Sequence, residues 1–303
     1  MAYKTVTSTP LKYPKLAANG LLLSAAAIWG FAFVAQRLGM QFVGPFTFNA
    51  VRFALGSLSL LPLFLLRRPS VPTRIPIKTV PFQLNWITGG GLLGIVLFIA
   101  ASLQQIGLVY TTAGKAGFIT GLYVILVPLL GLFWKQTISR VTWLGALLAT
   151  VGMYFLSISE KLTIEAGDLL VLISALFWAG HVQLIGWLTQ QITARQLALV
   201  QFAVCSILSG ITAVIFESIR ISAILKAAGP ILYGGILSVG VAYTLQVVAQ
   251  KKALPTHAAI ILSLEAVFAV IGGWLILNEQ LALRALIGCS LMLAGMLLAQ
   301  LKA

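Results

Sequence analysis

Ten apolar stretches, each near the length needed to cross a bilayer, fill most of this 303-residue chain. A hydrocarbon core about 30 Å thick takes roughly 20 residues of helix. The stretches run near 18–36, 46–66, 86–106, 113–134, 141–158, 168–189, 196–216, 229–250, 256–277 and 283–301. Inside lipid only helices and closed barrels satisfy every backbone group. Barrel strands are short and alternate apolar with polar residues, whereas these runs are continuously apolar and rich in Leu, Ala and Gly. The expected fold is therefore an all-α integral membrane protein with ten transmembrane helices. Composition agrees: 60% of residues are hydrophobic and 9% charged, where soluble domains carry about 25% charged residues.

The formal net charge of +14 does not point to nucleic acid, because the basic residues form no stripe on a soluble face. They set orientation instead. With the N-terminus in the cytoplasm, Lys4, Lys12, Lys15, Arg67, Arg68, Arg74, Lys78, Lys135, Arg140, Arg195, Lys251, Lys252 and Lys302 all fall on the cytoplasmic side. Far fewer fall outside, so the positive-inside rule predicts cytoplasmic N- and C-termini in a cell (inner) membrane. Ala25-Ala26-Ala27 resembles a signal cleavage site, but the apolar run continues to Val34, so this segment is expected to stay as the first helix. Cys205 and Cys289 fall within predicted helices and are expected to pack there rather than to form a disulfide framework.

Superposing Trp29 on Trp178 also puts Asn19 on Asp168, Val51 on Val200, Phe53 on Phe202 and Ala54 on Ala203. Further along, Gln136 falls on Glu279, Gly145 on Gly288, Leu148 on Leu291, Gly152 on Gly295 and Met153 on Met296. Five crossings per copy reverse the entry side of the second copy, which gives inverted repeats, a recurrent transporter architecture. The expected division is a cytoplasmic segment 1–17, a first repeat 18–158, an external linker 159–166 and a second repeat 167–303. A Pro-rich connection with Pro69, Pro72, Pro76 and Pro81 is the only long loop expected between helices.

Three segments carry a likeness to a known family. "AAAIWGFAFVAQ" at 25–36, "GDLLVLISALFWAG" at 167–180, and "LSLEAVFAVIGGWLILNEQL" at 262–281 followed by Gly288 and Gly295 resemble the EamA-type members of the drug/metabolite transporter superfamily. Ala266 stands where the family usually has Pro, and Gln136 where its first repeat often has Glu. The resemblance implies ten helices around a central cavity, helices 5 and 10 at the periphery, and export of amino acids or related metabolites.

Polar groups inside the apolar runs mark where a solute path would run, since a charge at mid-membrane costs roughly 2.5–3.5 kcal/mol on insertion scales. Arg52 lies about 10 Å below one end of helix 2, placed either to bind an anionic group or to snorkel outward. Glu265 is the deepest acid, a candidate coupling group or a structural carboxylate hydrogen-bonded to a neighbour such as Arg52. Trp29 and Trp178 sit about 15 Å deep, whereas Trp prefers interfaces; they read as cavity walls continued by Phe33, or as plain packing. His181 is a second coupling candidate against a core histidine. Gln104 corresponds to Gln246, and with Tyr243 they suit a polar or zwitterionic solute, or glue helices together. Lys115 and Tyr123 on helix 4 are candidates for a carboxylate and an aromatic group. Gly145/Gly152 and Gly288/Gly295 serve helix packing or a homodimer contact through helices 5 and 10, while Gly90/Gly94 and Gly117/Gly121 are expected to pack helices.

No cofactor, metal site or catalytic residue is expected. An intramembrane enzyme needs clustered acids or a His/Asp constellation, and the chain has two histidines, six acids and no Gly-Lys-Ser/Thr phosphate loop. The expectation is a secondary transporter of small metabolites working by alternating access at a midplane cavity. The alternatives are a lipid-linked-sugar flippase and a non-transporting membrane scaffold.

Overall fold

The computed structural model describes residues 14–66, 84–111, 113–133, 136–157, 166–277 and 283–300. The Pro-rich connection with Arg74, the linker with Glu160, and Glu279 lie outside the described residues. Every regular element among the described residues is a helix. The first five are α1 (Pro14–Gly39), α2 (Pro45–Leu66), α3 (Trp86–Tyr110), α4 (Ala113–Gly121) and α5 (Tyr123–Phe133). There follow α6 (Arg140–Ser157), α7 (Ala166–Leu188), α8 (Ala194–Phe216), α9 (Ile221–Lys226) and α10 (Ala228–Leu232). A π-helix (Tyr233–Tyr243) runs directly into α11 (Thr244–Ala249), and α12 (Pro255–Leu262), α13 (Glu265–Leu277) and α14 (Leu283–Gln300) complete the chain.

Local signals set several ends. Asn85 caps α3, its side chain accepting from the backbone N–H groups of Ile87 and Thr88, and Thr193 caps α8 by accepting from Gln196 N. Such caps satisfy donors that have no partner within the helix. Pro255 opens α12 at a position where its missing N–H costs nothing.

Among the described residues seven helical stretches are long and apolar enough to cross a membrane: Leu16–Gly39, Trp86–Tyr110, Ala116–Phe133, Ala166–Leu188, Ala194–Phe216, Ala228–Ala249 and Pro255–Ile276. Arg140–Gly152 and Leu286–Leu298 are shorter apolar helices. Large apolar side chains cover the outside, among them Leu58, Leu132, Phe133, Val214, Ile215 and Leu297. A soluble monomer rarely shows so much contiguous apolar surface; in lipid it is the favourable surface.

Two spans are broken, and the breaks correspond. Between α4 and α5 the chain turns at Leu122, whose N–H bonds to Ile119 O, while Ile125 N bonds to Leu122 O. Between α12 and α13, Leu264 N bonds to Ile261 O and Val267 N to Leu264 O. Each break is a tightened turn with i to i−3 bonds. The residue that starts the second half is Tyr123 in one span and Glu265 in the other.

Helix packing is likewise paired. α2 lies against α8, and α6 against α14. α3 packs on α7 and α8, while the π-helix packs on α1 and α2. α4 and α5 rest on α7, as α13 and α12 rest on α1. The centre is aromatic: Phe53 and Phe202 are fully buried and surround Tyr243 together with Leu97, Val127 and Val182. Cys205 is buried in this core and Cys289 is half-buried in α14, both as free thiols.

Glycines set how closely these helices approach. A Cβ on Gly152 would lie 2.6 Å from Gly288 O, and one on Gly295 would lie 2.6 Å from Gly145 O. The two repeated glycine pairs therefore face each other across the α6–α14 seam within one chain. They thus serve helix packing within one chain, the first of the two readings of these pairs. Gly90 and Gly94 seat Val200 and Val204 of α8 in the same way.

Candidate functional site

A narrow cavity lies at the meeting point of eight helical segments. α1 supplies Trp29, Ala32, Phe33 and Gln36, α2 supplies Arg52, and α3 supplies Gln104. Thr120 of α4, Tyr123 of α5 and Trp178 of α7 continue the wall, with Ser238 and Tyr243 of the π-helix and Glu265 of α13. The volume open to the centres of water molecules is about 40 Å³. That admits a few waters and not a metabolite, since ligand pockets run to about 300–1,000 Å³. The walls must part before a solute can enter.

Tyr243 forms the floor. Its ring lies 4.6 Å from that of Trp29 and stacks on Trp178 at 6.0 Å, and Phe202 closes its far side at 5.7 Å. Trp29 Nε1 donates to Ser238 O at 3.2 Å, whereas Trp178 Nε1 has no hydrogen-bond partner. Both tryptophans thus pack against one tyrosine. Tyr243 is the last residue of the π-helix, an irregularity common at functional sites.

Arg52 is 2% exposed. Its Nη1 donates to Gln36 Oε1 at 3.0 Å, and its guanidinium lies 4.9 Å from the Phe53 ring centre and 5.5 Å from that of Phe48. These rings give cation–π stabilisation. No carboxylate among the described residues pairs with it, and Nε has no partner. The expected bond between Arg52 and Glu265 is absent. The Tyr123 hydroxyl is the polar neighbour of Glu265, without reaching hydrogen-bonding geometry, and Glu265 Oε1 is also unpartnered. Glu265 is 4% exposed.

Of the residues singled out from sequence, Trp29, Phe33, Arg52, Gln104, Tyr123, Trp178, Tyr243 and Glu265 line this cavity. Gln104 Nε2 donates to Thr120 Oγ1 at 2.9 Å. Gln246 does not line it: it lies a turn beyond the Tyr243 floor, buried, so sharing a helical face did not give it the same depth. His181 is fully buried behind Trp178 and Tyr243, with Nε2 2.8 Å from Gln201 Oε1. Lys115 lies in α4, and its side chain is outside the described residues. Thr120 and Ser238 escaped the sequence reading. A lone Thr or Ser in an apolar helix gives little signal, because it so often bonds its own backbone.

Two carboxylates hold the end of the molecule beyond Gln36. Glu217, at the C-terminus of α8, accepts from Phe46 N and Thr47 N at 2.8 Å each and from Thr47 Oγ1 at 2.6 Å, so it caps α2 from another helix. Asp168 accepts from Thr111 Oγ1, and Thr111 O accepts from Arg37. These bonds tie α1, α3 and α7 together on the same side. Sequence analysis did not foresee the role of Glu217, since nothing local links it to α2.

The model of the EamA-like transporter family matches this chain twice, over residues 16–158 and 165–301. The chain belongs to that family. An uncharacterized transporter of Archaeoglobus fulgidus is 33% identical over 285 residues, spanning 93% of this chain and 85% of the relative. The uncharacterized transporter YoaV of Bacillus subtilis is 21% identical over 285 residues, covering 90% and 93%. A solved crystal structure shares the fold with a TM-score of 0.73 at 20% identity, over 95% of this chain and 98% of that one. The protein is a multi-pass membrane transporter of the EamA family and not an enzyme.

Proposed function

We propose that the protein is a secondary carrier of small zwitterionic metabolites, amino acids above all, exported by alternating access around the Trp29–Tyr243–Trp178 cavity. One observation carries this reading: Arg52 is a buried cation with no acid partner among the described residues, facing a cavity whose other wall holds an unpaired Glu265 oxygen. An unpaired charge in a low-dielectric site is costly, and a substrate carboxylate offsets that cost. Glu265 with the faces of Trp29 and Tyr243 suits an ammonium group. In this scheme Trp29, Phe33, Arg52, Gln104, Tyr123, Trp178 and Tyr243 form the binding site, Lys115 lies on the approach from the outer end, and Glu265 is the coupling group. His181 and Gln246 support the floor.

The architecture behind the proposal is two inverted five-helix repeats, ten crossings in all. The doubled family match, the corresponding breaks before Tyr123 and Glu265, and the paired helix packing support it. Broken helices at mid-depth are a frequent source of substrate sites in inverted-repeat carriers. The termini are placed in the cytoplasm by the basic-residue asymmetry. A homodimer through α6 and α14 would have to use their outer faces, where Leu147, Val151, Leu286 and Leu293 are exposed.

The test is solute counterflow in proteoliposomes across amino acids, nucleotides, sugars and a lipid-linked sugar. The proposal expects exchange of one or more amino acids and its loss in Arg52→Gln. Exchange confined to uncharged sugars, or movement of the lipid-linked sugar alone, contradicts it.

A further inference from the structure

A second cavity opens at the opposite end of the molecule from Gln36. Its volume on the same measure is about 420 Å³, which suits a small metabolite. Gln183 and Trp187 on the last turns of α7 form one wall, Gln136 enters from the connection after α5, and Gln250, Lys251 and Lys252 close it between α11 and α12.

The wall is built of amides held in place. Gln136 Nε2 donates to Gln183 Oε1 at 2.9 Å, and Gln183 Nε2 donates to Val127 O at 2.7 Å. Gln250 is 1% exposed; its Nε2 donates to Val182 O at 3.0 Å, while its Oε1 has no partner. The mouth carries the exposed Lys251 and Lys252, and among the described residues no acid lines the cavity. Trp187 and Pro255 give it an apolar side. Like charges at a concave mouth concentrate anions there, and the Gln250 amide nitrogen carries a second N–H beyond the one given to Val182 O.

Tyr243 at the end of the π-helix, Gln246 in α11 and Gln250 at its C-cap occupy successive turns. Tyr243 lines the first cavity, Gln250 lines the second, and buried Gln246 lies between them with Oε1 unpartnered. Three polar side chains therefore lie in order between the two spaces.

We propose that the second cavity is a separate binding site for a small organic carboxylate, where solute is held by Lys251, Lys252 and the second amide N–H of Gln250 before it passes Tyr243 toward Arg52. This rests on the carrier reading of the first cavity. The experiment uses purified protein in detergent with Cys205→Ser and Cys289→Ser, and a single thiol introduced by Gln190→Cys on the cavity wall. Reaction of that thiol with N-ethylmaleimide is followed in the presence of succinate or of uncharged succinamide at equal ionic strength. Succinate is expected to slow labelling several-fold, succinamide to leave it unchanged, and Lys251→Gln/Lys252→Gln to abolish the protection. Equal protection by both compounds, protection that survives the double lysine change, or none at all overturns the site. The Trp29→Ala variant separates the two ideas: it is expected to stop transport and keep succinate protection. Protection in a variant that still transports leaves this site standing and removes the role given to the first cavity.

Discussion

Adding one methyl group to the α6–α14 seam tests the packing that fixes the two halves of the chain against each other. In Gly152→Ala the new Cβ lies 2.6 Å from Gly288 O and 2.8 Å from Met292 N; in Gly295→Ala it lies 2.6 Å from Gly145 O and 3.0 Å from Ala149 N. These are backbone atoms and cannot rotate away. Ordinary contact begins at 3.4 Å, so the helices must part by about 0.8 Å. Overpacking of this kind costs about 1–3 kcal/mol, and a gap of this size along the rest of the seam forfeits a quarter to a half of each dispersion contact. One displacement accommodates both methyl groups, so the double variant should lose less than the sum of the singles, by roughly 0.5–3 kcal/mol. Gly91→Ala and Gly180→Ala are the controls: nothing lies within 4 Å of a Cβ at either position. There Ala should be neutral or stabilising by up to about 1 kcal/mol through helix propensity. Reversible unfolding of the purified variants in mixed micelles measures the four singles and the double. Seam variants as stable as the controls, or a strictly additive double, would refute the reasoning.

Three further predictions follow from single features. Glu217→Ala removes three hydrogen bonds from the start of α2 and should cost about 1–3 kcal/mol; faster hydrogen exchange at Phe46 and Thr47, with slower exchange elsewhere unaffected, locates the loss, and unchanged exchange contradicts it. Glu265→Gln keeps the shape of the wall and removes its charge, so it should abolish accumulation driven by a pH gradient while solute exchange persists; wild-type flux that ignores the gradient removes proton coupling. Single cysteines at Arg74 and Glu160 in a cysteine-free background should label from opposite sides, with only position 160 reached from outside intact cells; the reverse pattern overturns the orientation.

The helices were legible because hydrophobic run length is a direct physical requirement of the bilayer. Trp29, Trp178, Arg52 and Glu265 stood out for the same reason, being side chains that a purely packed membrane helix avoids. What escaped depends on backbone geometry or on distant partners. The tightened turn at Ser263–Leu264 contains no Gly or Pro, and the one at Leu122 contains only Gly121, which by its spacing from Gly117 reads as a packing glycine; the π-helix over Tyr233–Tyr243 has no residue pattern that announces it. Gln246 shares a face with Tyr243, but a face does not give depth relative to a floor. The glycine repeats were visible as spacing; only the structure pairs Gly152 with Gly288 and Gly295 with Gly145 inside one chain. Glu217 reaches across to the start of α2, a contact that no local motif encodes.

The central claim is that solute crosses through the space between Trp29 and Trp178. Counterflow of the transported solute in proteoliposomes containing Trp29→Ala or Trp178→Ala, each reconstituted at wild-type abundance and with unchanged thermal stability, tests it directly. The account predicts that each variant loses most of the exchange rate, since each removes a ring packed on Tyr243 at the cavity floor. Wild-type exchange in both variants would contradict it.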